Sequence, residues 1–427
     1  MSRVHLVTLG CPKNEVDSEK LSGRLAADGF DQTDDAAEAD LVVVNTCAFI
    51  EEARQESIDT ILALADVKGD RARLVVTGCM AERYRDELAD ALPEVDVVAG
   101  FGEAFHSHRE TAPTGTAVSI GSKPAPLAGT VGDFDLLNLP RPRSSRPWAY
   151  VKVAEGCDRA CGFCAIPSFR GPQRSRTIDS ILAEVEQLEV AEIVLVAQDL
   201  AAFGRDQGVG ERSIVPLVEA VAERVERTRL LYLYPSDLTD RLIDAVCGTG
   251  VAYFDLSLQH VSAPLLRRMR RWGNGDKFLA RIADIRAREP DAAFRSNFIV
   301  GYPGETEADH DQLLRFVSTA EVDWCGFFAY SREDGTYAAD LDLQVPRGLA
   351  DERLAELREL QDSITARKRD ELIGREVEVL VDAPGIARSH REAPEIDGII
   401  TVPATLPVGE ICSVMVTGAA GPDLEAS

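Results

Sequence analysis

Apolar runs of four to six residues alternate with amphipathic stretches from the first residues onward. Positions 4–9 form a short apolar strand ending at Gly10-Cys11, and 18–28 has helical spacing. A second strand at 41–45 ends at Thr46-Cys47 and leads into a helix over about 51–65. A third at 74–77 ends at Gly78-Cys79 before a helix around 83–92, and 95–99 is a fourth. Alternating strands and helices predict a parallel, doubly wound α/β sheet. From 104 to 147 Pro, Gly, Ser and Thr dominate, the composition of a linker.

The alternation resumes with a longer period. Strands are expected at 150–153, 193–197, 230–234, 253–258, 294–300 and 324–330. Helices are expected at 177–190, 214–227, 238–247, 263–271 with 277–288, 305–320 and 349–372. Six such units predict a partial (β/α) barrel with its site on the loops after the strands; a doubly wound open sheet is the rival. Beyond Gly374, short strands at 376–381, 398–402 and 411–416 separated by Pro and Gly turns predict a small β-barrel. The expected division is 1–115, a linker at 116–147, 148–373 and 374–427.

Of 427 residues, 45% are hydrophobic and 28% charged, as in ordinary globular proteins. No apolar run is long enough for a membrane span and no signal peptide opens the chain, so a cytoplasmic protein is expected. Nine cysteines, an odd number, argue against a disulfide framework and for metal or catalytic thiols. The net charge of −26 disfavours nucleic acid and suits a basic protein partner.

Cys157, Cys161 and Cys164 lie within eight residues, directly after the first barrel strand. Zinc would need a fourth ligand, c-type haem a following His where Ala165 stands, and a disulfide would strand one thiol. Three thiolates on a glycine-containing loop can instead hold a four-iron cluster and leave one iron open. Cys11, Cys47 and Cys79 are far apart in sequence, yet each follows a parallel strand, at the edge where such sheets bind ligands. One such cysteine would pass for a small buried residue; three in consecutive strands point to a second cluster. Cys247, Cys325 and Cys412 lack such company and are expected to be packing residues.

The CxxxCxxC spacing resembles the radical S-adenosylmethionine superfamily, and two three-cysteine sites closed by a TRAM-like β module resemble its methylthiotransferases. That resemblance implies S-adenosyl-L-methionine and two 4Fe-4S clusters as cofactors, the second cluster carrying the sulfur. It implies that Phe163 lies against the adenine, and that Gln198, Gly301, Pro303, Gly304 and Glu305 serve cofactor binding. Leu9-Gly-Cys-Pro-Lys-Asn-Glu, Ile166-Pro-Ser-Phe-Arg-Gly171 and Ala393-Pro-Glu-Ile-Asp-Gly398 are similar to the branch that modifies an aspartate β-carbon of ribosomal protein S-twelve; the other branch modifies tRNA adenosine. The resemblance also implies an electron donor and a sulfur source, neither identifiable from sequence. Residues 375–427 hold three Arg, no Lys and nine Asp plus Glu, a net −6, and Glu392, Glu395 and Asp397 are expected to dock the basic substrate. Lys13 and Asn14 either line the first triplet or serve the helix start. Asp199, Gln259 and His260 end strands, and the Arg267, Arg268, Arg270, Arg271 run is expected to be a solvated face.

Overall fold

The computed structural model describes residues 2–101, 103, 135–208 and 214–427, so 116–134 of the expected linker lie outside the described residues. Two compact units are present, Met1–Pro142 and Arg143–Ser427.

In the first unit β1 (Ser2–Thr8), β2 (Phe30–Gln32), β3 (Leu41–Thr46), β4 (Arg73–Gly78) and β5 (Val97–Val98) form one parallel sheet in the order β2-β1-β3-β4-β5. Helices α1 (Pro12–Ala27), α2 (Glu51–Val67) and α3 (Cys79–Ala91) connect them. The chain leaves β1 toward one side and takes up β3 on the other, which opens a crevice at the ends of β1 and β3. All six residues of β3 are buried, and each Val there contributes about 1.5–3 kcal/mol. The edge strand β2 is too short to leave a period in the sequence. Helix α1 begins six positions before the pattern placed it. Pro12 suits a first turn, but the buried inner face carries Asn14, Asp17, Ser18 and Lys20, which disguises the apolar stripe. Lys20 Nζ donates to the Leu137 carbonyl at 2.5 Å, and Arg141 pairs with Glu19, so residues 136–141 of the proline-rich stretch are docked onto α1.

The second unit begins with β6 (Trp148–Lys152) and a small antiparallel pair, β7 (Ala154–Glu155) with β8 (Arg174–Ser175), which closes the base of the cysteine loop and its short helix α4 (Ile166–Arg170). After α5 (Ile178–Leu188) come β9 (Glu192–Val196), α6 (Ile214–Ala222), β10 (Arg227–Leu230), α7 (Asp240–Cys247) and β11 (Tyr253–Gln259). Then follow α8 (Ala263–Arg268), α9 (Gly275–Arg288), β12 (Ala293–Val300), α10 (Glu307–Ala320), β13 (Trp324–Ala329) and α11 (Arg347–Asp370). Ladders run β6-β9-β10 and β11-β12-β13, and a parallel bridge between Leu233 and Leu256 joins the two. Six parallel strands thus stand in chain order, and among the described residues no ladder returns β13 to β6: a partial barrel. Strand β10 sits three residues earlier than its apolar run suggested, because Arg227 and Arg229 occupy buried strand positions. Cys247 and Cys325 pack against the barrel core.

Strands β14 (Glu376–Ala383), β15 (Ile386–Arg388), β16 (Ile400–Thr401), β17 (Ile411–Ala420) and β18 (Asp423–Ala426) close a five-stranded barrel around Val379, Val381, Ile400, Val414 and Leu424, with Cys412 packed against it. Two of its strands escaped the sequence pattern, and β17 runs four residues longer than expected. Its segment 388–397 plugs the end of the large barrel where the strands begin. Glu192, the first residue of β9, pairs with Arg229 at 2.7 Å and with Arg388 at 3.2 Å. Trp324 Nε1 donates to the Arg391 carbonyl at 2.6 Å and Tyr150 Oη to the Pro394 carbonyl at 3.0 Å. This overturns two of the three expected docking acids. Glu392 is fully buried and pairs with Arg369 at 2.5 Å; Asp397 accepts from Tyr253 Oη at 2.6 Å and faces Arg295 at 3.3 Å. Only Glu395 is exposed, and it pairs with Arg146.

Candidate functional site

The first triplet stands at the carboxyl edge of β1, β3 and β4, which are neighbours in the sheet. Cys11 is the N-cap of α1 and Cys79 the first residue of α3, so two of the three thiols lie at helix N-termini. Gly10 and Gly78 hold φ of +98° and +93°. A Cβ on Gly10 would lie 2.8 Å from Cys47 Cβ and 2.9 Å from its Sγ, so glycine is what lets the end of β1 approach Cys47. A Cβ on Gly78 would strike Asn45 and the Thr46 backbone in the same way. Asn14, fully buried, ties the three strand ends: Nδ2 donates to the Leu9 carbonyl at 2.9 Å and the Thr46 carbonyl at 3.0 Å, and Oδ1 lies 3.6 Å from Cys79 Sγ. Ser57 Oγ brackets Cys47, accepting from its N–H and donating to its carbonyl, both at 3.2 Å. Of the two roles open to Asn14, the structure gives it the one at the thiols.

The second triplet sits on the loop between β7 and β8. Gly162 N donates to the Met269 carbonyl and the Ala338 N–H to the Gly162 carbonyl, both at 2.8 Å, which fixes the middle of the loop. Burial pushes the Cys157 thiol up to about 11 and Cys164 up to about 12, and repulsion from the neighbouring thiols of the triplet adds to both. Thiols so placed become thiolates when a cation shares their charge, which is the donor chemistry of a metal cluster. Among the described residues no three His, Cys, Asp or Glu side chains are gathered for a single metal ion. A four-iron cluster takes its thiolates at separate corners and does not ask them to meet at one point.

Charge surrounds this loop. Beneath it Glu155 pairs with Lys152 at 2.7 Å and Arg170 at 2.9 Å, and Gln198 Nε2 donates to Glu155 at 2.5 Å. Burial alone would push the Glu155 carboxyl up; Arg170 and Lys152 hold it down at about 2. Arg159, inside the CxxxC segment, pairs with Asp199 at 2.5 Å and with Asp237, and lies 3.8 Å over the Tyr234 ring. Arg271 lies over Tyr234 at 4.2 Å and donates to Cys161 Sγ at 3.2 Å.

The expected cofactor residues divide. Phe163 packs edge-on to Tyr302, with ring centres 6.5 Å apart, and stays partly exposed. Gly301, Pro303 and Gly304 form a turn held by Gly304 N to the Leu343 carbonyl at 2.8 Å and by Arg268 Nε to the Pro303 carbonyl at 2.8 Å. The Glu305 carboxylate is buried inside that turn, accepts from Gly301 N and lies 3.6 Å from Arg353. Gln198 is likewise engaged by Glu155. His260 is fully buried, with Nδ1 accepting from Ser262 N at 3.1 Å, a structural role. Sequence analysis missed Glu155, Lys152, Arg159 and Tyr234, and expected Arg271 on a solvated face, whereas it donates to Cys161 Sγ. Only Arg159, lying between two cysteines, offered a cue.

Models of three known families match in order: "Uncharacterized protein family UPF0004" over residues 3–100, the radical SAM superfamily over 151–317, and the TRAM domain over 373–427. A solved radical S-adenosylmethionine methyltransferase, TsrM from Kitasatospora setae, superposes with a TM-score of 0.49 at 16% identity, over 90% of this chain and 80% of that one. The ribosomal protein uS12 methylthiotransferase RimO of Kineococcus radiotolerans is 41% identical over 99% of this chain and 96% of its own length. That of Sorangium cellulosum is 43% identical over 99% and 90%. Two cysteine triplets on the two folds, and relatives matched from end to end, lead to one statement: the chain belongs to the radical S-adenosylmethionine methylthiotransferases, in the RimO family.

Proposed function

We propose that the chain adds a methylthio group to the β-carbon of an aspartate in ribosomal protein uS12, with Cys157, Cys161 and Cys164 holding the catalytic cluster and Cys11, Cys47 and Cys79 the auxiliary one. The observation that carries the reading is the end-to-end match to proteins so named, each triplet standing at the carboxyl edge of its parallel strands. When bound, the clusters and S-adenosylmethionine supply one-electron chemistry that removes hydrogen from an unactivated carbon, and a sulfur to place there.

The chain's own residues do the rest. The three thiols of each site would supply the thiolate ligands of its cluster. Gly162, pinned on both sides, keeps Cys161 and Cys164 at fixed spacing. Arg159, drawn by Asp199 and Asp237, holds the first half of the loop. Phe163 and the turn of Gly301, Pro303 and Gly304 form walls on which an adenine and a methionyl group rest; Gln198 and Glu305 act behind them, by fixing Glu155 and the turn. Five exposed glutamates of the β module, Glu376, Glu378, Glu395, Glu410 and Glu425, face solvent with a single exposed arginine, Arg375, and favour a basic protein over a polyanion. Among the described residues no helix is long and apolar enough to cross a membrane. A cytoplasmic site of action fits a ribosomal substrate. We place the domain limits at 1–115, 148–373 and 374–427. An external electron donor and sulfur source complete the reaction.

The test compares methylthio incorporation into uS12 and into tRNA by mass spectrometry. Expected is modified uS12 alone; incorporation into tRNA alone would promote the tRNA branch. Cys11→Ala, Cys47→Ala and Cys79→Ala chains should still cleave S-adenosylmethionine to 5′-deoxyadenosine while transferring no methylthio group. Cys157→Ala, Cys161→Ala and Cys164→Ala chains should do neither.

A further inference from the structure

A run of arginines spans the end of α8, and the last, half-buried Arg271, turns toward the cysteine loop. Arg270 adopts φ +56°, a left-handed conformation that costs a non-glycine residue on the order of 1 kcal/mol. It turns the chain so that Arg271 N donates to the Leu266 carbonyl at 2.8 Å and the Arg271 side chain swings toward the cysteine loop. There one guanidinium nitrogen donates to Cys161 Sγ at 3.2 Å, the other to the Ser257 carbonyl, and the plane lies 4.2 Å over Tyr234. The second cation at the loop, Arg159, lies on the other contact of Tyr234 but is neutralised by Asp199 and Asp237. Among the described residues no carboxylate lies within ion-pair distance of Arg271. One uncompensated cation therefore faces the thiols, fixed by three contacts.

We propose that Arg271 is a positioning residue for the cluster held by Cys157, Cys161 and Cys164, raising its reduction potential through the hydrogen bond to Cys161 sulfur and its unneutralised charge. The inference rests on the cluster assignment above. Three thiolates give the cluster net negative charge, and the reduced state carries one unit more. A nearby cation therefore favours the reduced state, and hydrogen bonds to cluster sulfurs act in the same direction. The step is the gain of one electron by the oxidised cluster from a low-potential one-electron donor, with no bond made or broken. Lysine keeps the charge but not the planar fork that reaches Cys161 and Ser257 while stacking on Tyr234.

The experiment uses the full chain carrying Cys47→Ala, reconstituted with iron and sulfide under anaerobic conditions, so that one cluster reports. Its midpoint is read by titration with dithionite and mediators, followed by electron paramagnetic resonance. Arg271→Met should lower the reduced-to-oxidised ratio at a fixed potential about tenfold, equivalent to about 59 mV for a one-electron couple. Arg271→Lys should recover part of that. A fully loaded Arg271→Met chain with the parent midpoint overturns the proposal. If Arg271→Met does not keep its iron, Arg271→Gln is compared with Arg271→Lys, and equal midpoints in that pair overturn it equally. A Cys47→Ala parent that binds no iron sinks the cluster assignment itself, a failure visible before any Arg271 variant is made.

Discussion

The two ends of the large barrel use charge for opposite purposes. Where the strands end, Arg271 faces thiols without a carboxylate partner and Arg159 bends over the cysteine loop. Where they begin, every charge described is spent on another: Glu192 on Arg229 and Arg388, Glu392 on Arg369, Asp397 on Arg295 and Tyr253. At the strand ends one cation, Arg271, is left facing thiols while Glu155, Lys152, Arg170 and Arg159 are paired; the charges at the strand starts fasten a second barrel in place. The same strands carry both sets, so position along a strand tells more than residue type.

Five variants sharpen that contrast, from the largest effect to the smallest. Cys161→Ala should abolish 5′-deoxyadenosine formation and leave the melting temperature of the metal-free chain within a few degrees of the parent. A large loss of stability would mean the strand ends also hold the fold. Glu192→Gln should do the reverse, since it strands buried Arg229 and weakens Arg388. Breaking such a pair costs about 3–5 kcal/mol, read by denaturant midpoint, while cleavage per folded molecule persists.

Glu392→Gln should flatten the acid limb of stability. Burial pushes its carboxyl up, but Arg369 and Ser389 more than reverse this and hold it at about 2, below its ordinary 4.5. A depressed folded value means the contribution is complete above 4.5 and drains away as pH falls from there through 2. Melting temperatures across that window should fall less steeply in the variant; parallel curves would show that other carboxylates dominate. Tyr253→Phe removes one of the donors to Asp397 and should cost about 1–3 kcal/mol. Glu395→Lys, at a half-exposed pair with Arg146, should change stability by less than about 1 kcal/mol, and any slowing of uS12 association should vanish at high salt.

The legible parts of the molecule were those written in local pattern. Three strand–cysteine junctions gave the first triplet, one loop gave the second, and apolar runs gave all six barrel strands, with β10 misplaced because Arg227 and Arg229 are buried in it. Illegible was whatever depends on a distant partner. Glu392 and Asp397 look like surface acids because Arg369 lies 23 positions before one of them and Arg295 lies 102 before the other. Arg271 looks solvated because the turn that redirects it is a single left-handed residue. Lys20 and Asn14 spoil the helical stripe of α1, since the carbonyls they satisfy lie on other elements.

Helix α11 has a mechanical consequence. Its 24 residues span about 36 Å as an unbroken rod. Near its start Ala350 lies against Gly301, and Arg353 reaches Glu305; near its end Arg369 grips Glu392, the Pro422 carbonyl and the face of Trp324. A rod clamped at both ends does not let its ends move separately. A pull on the small barrel is delivered along α11 to the turn of Gly301 and Glu305, so the molecule can register at its reactive rim a load applied at its far end.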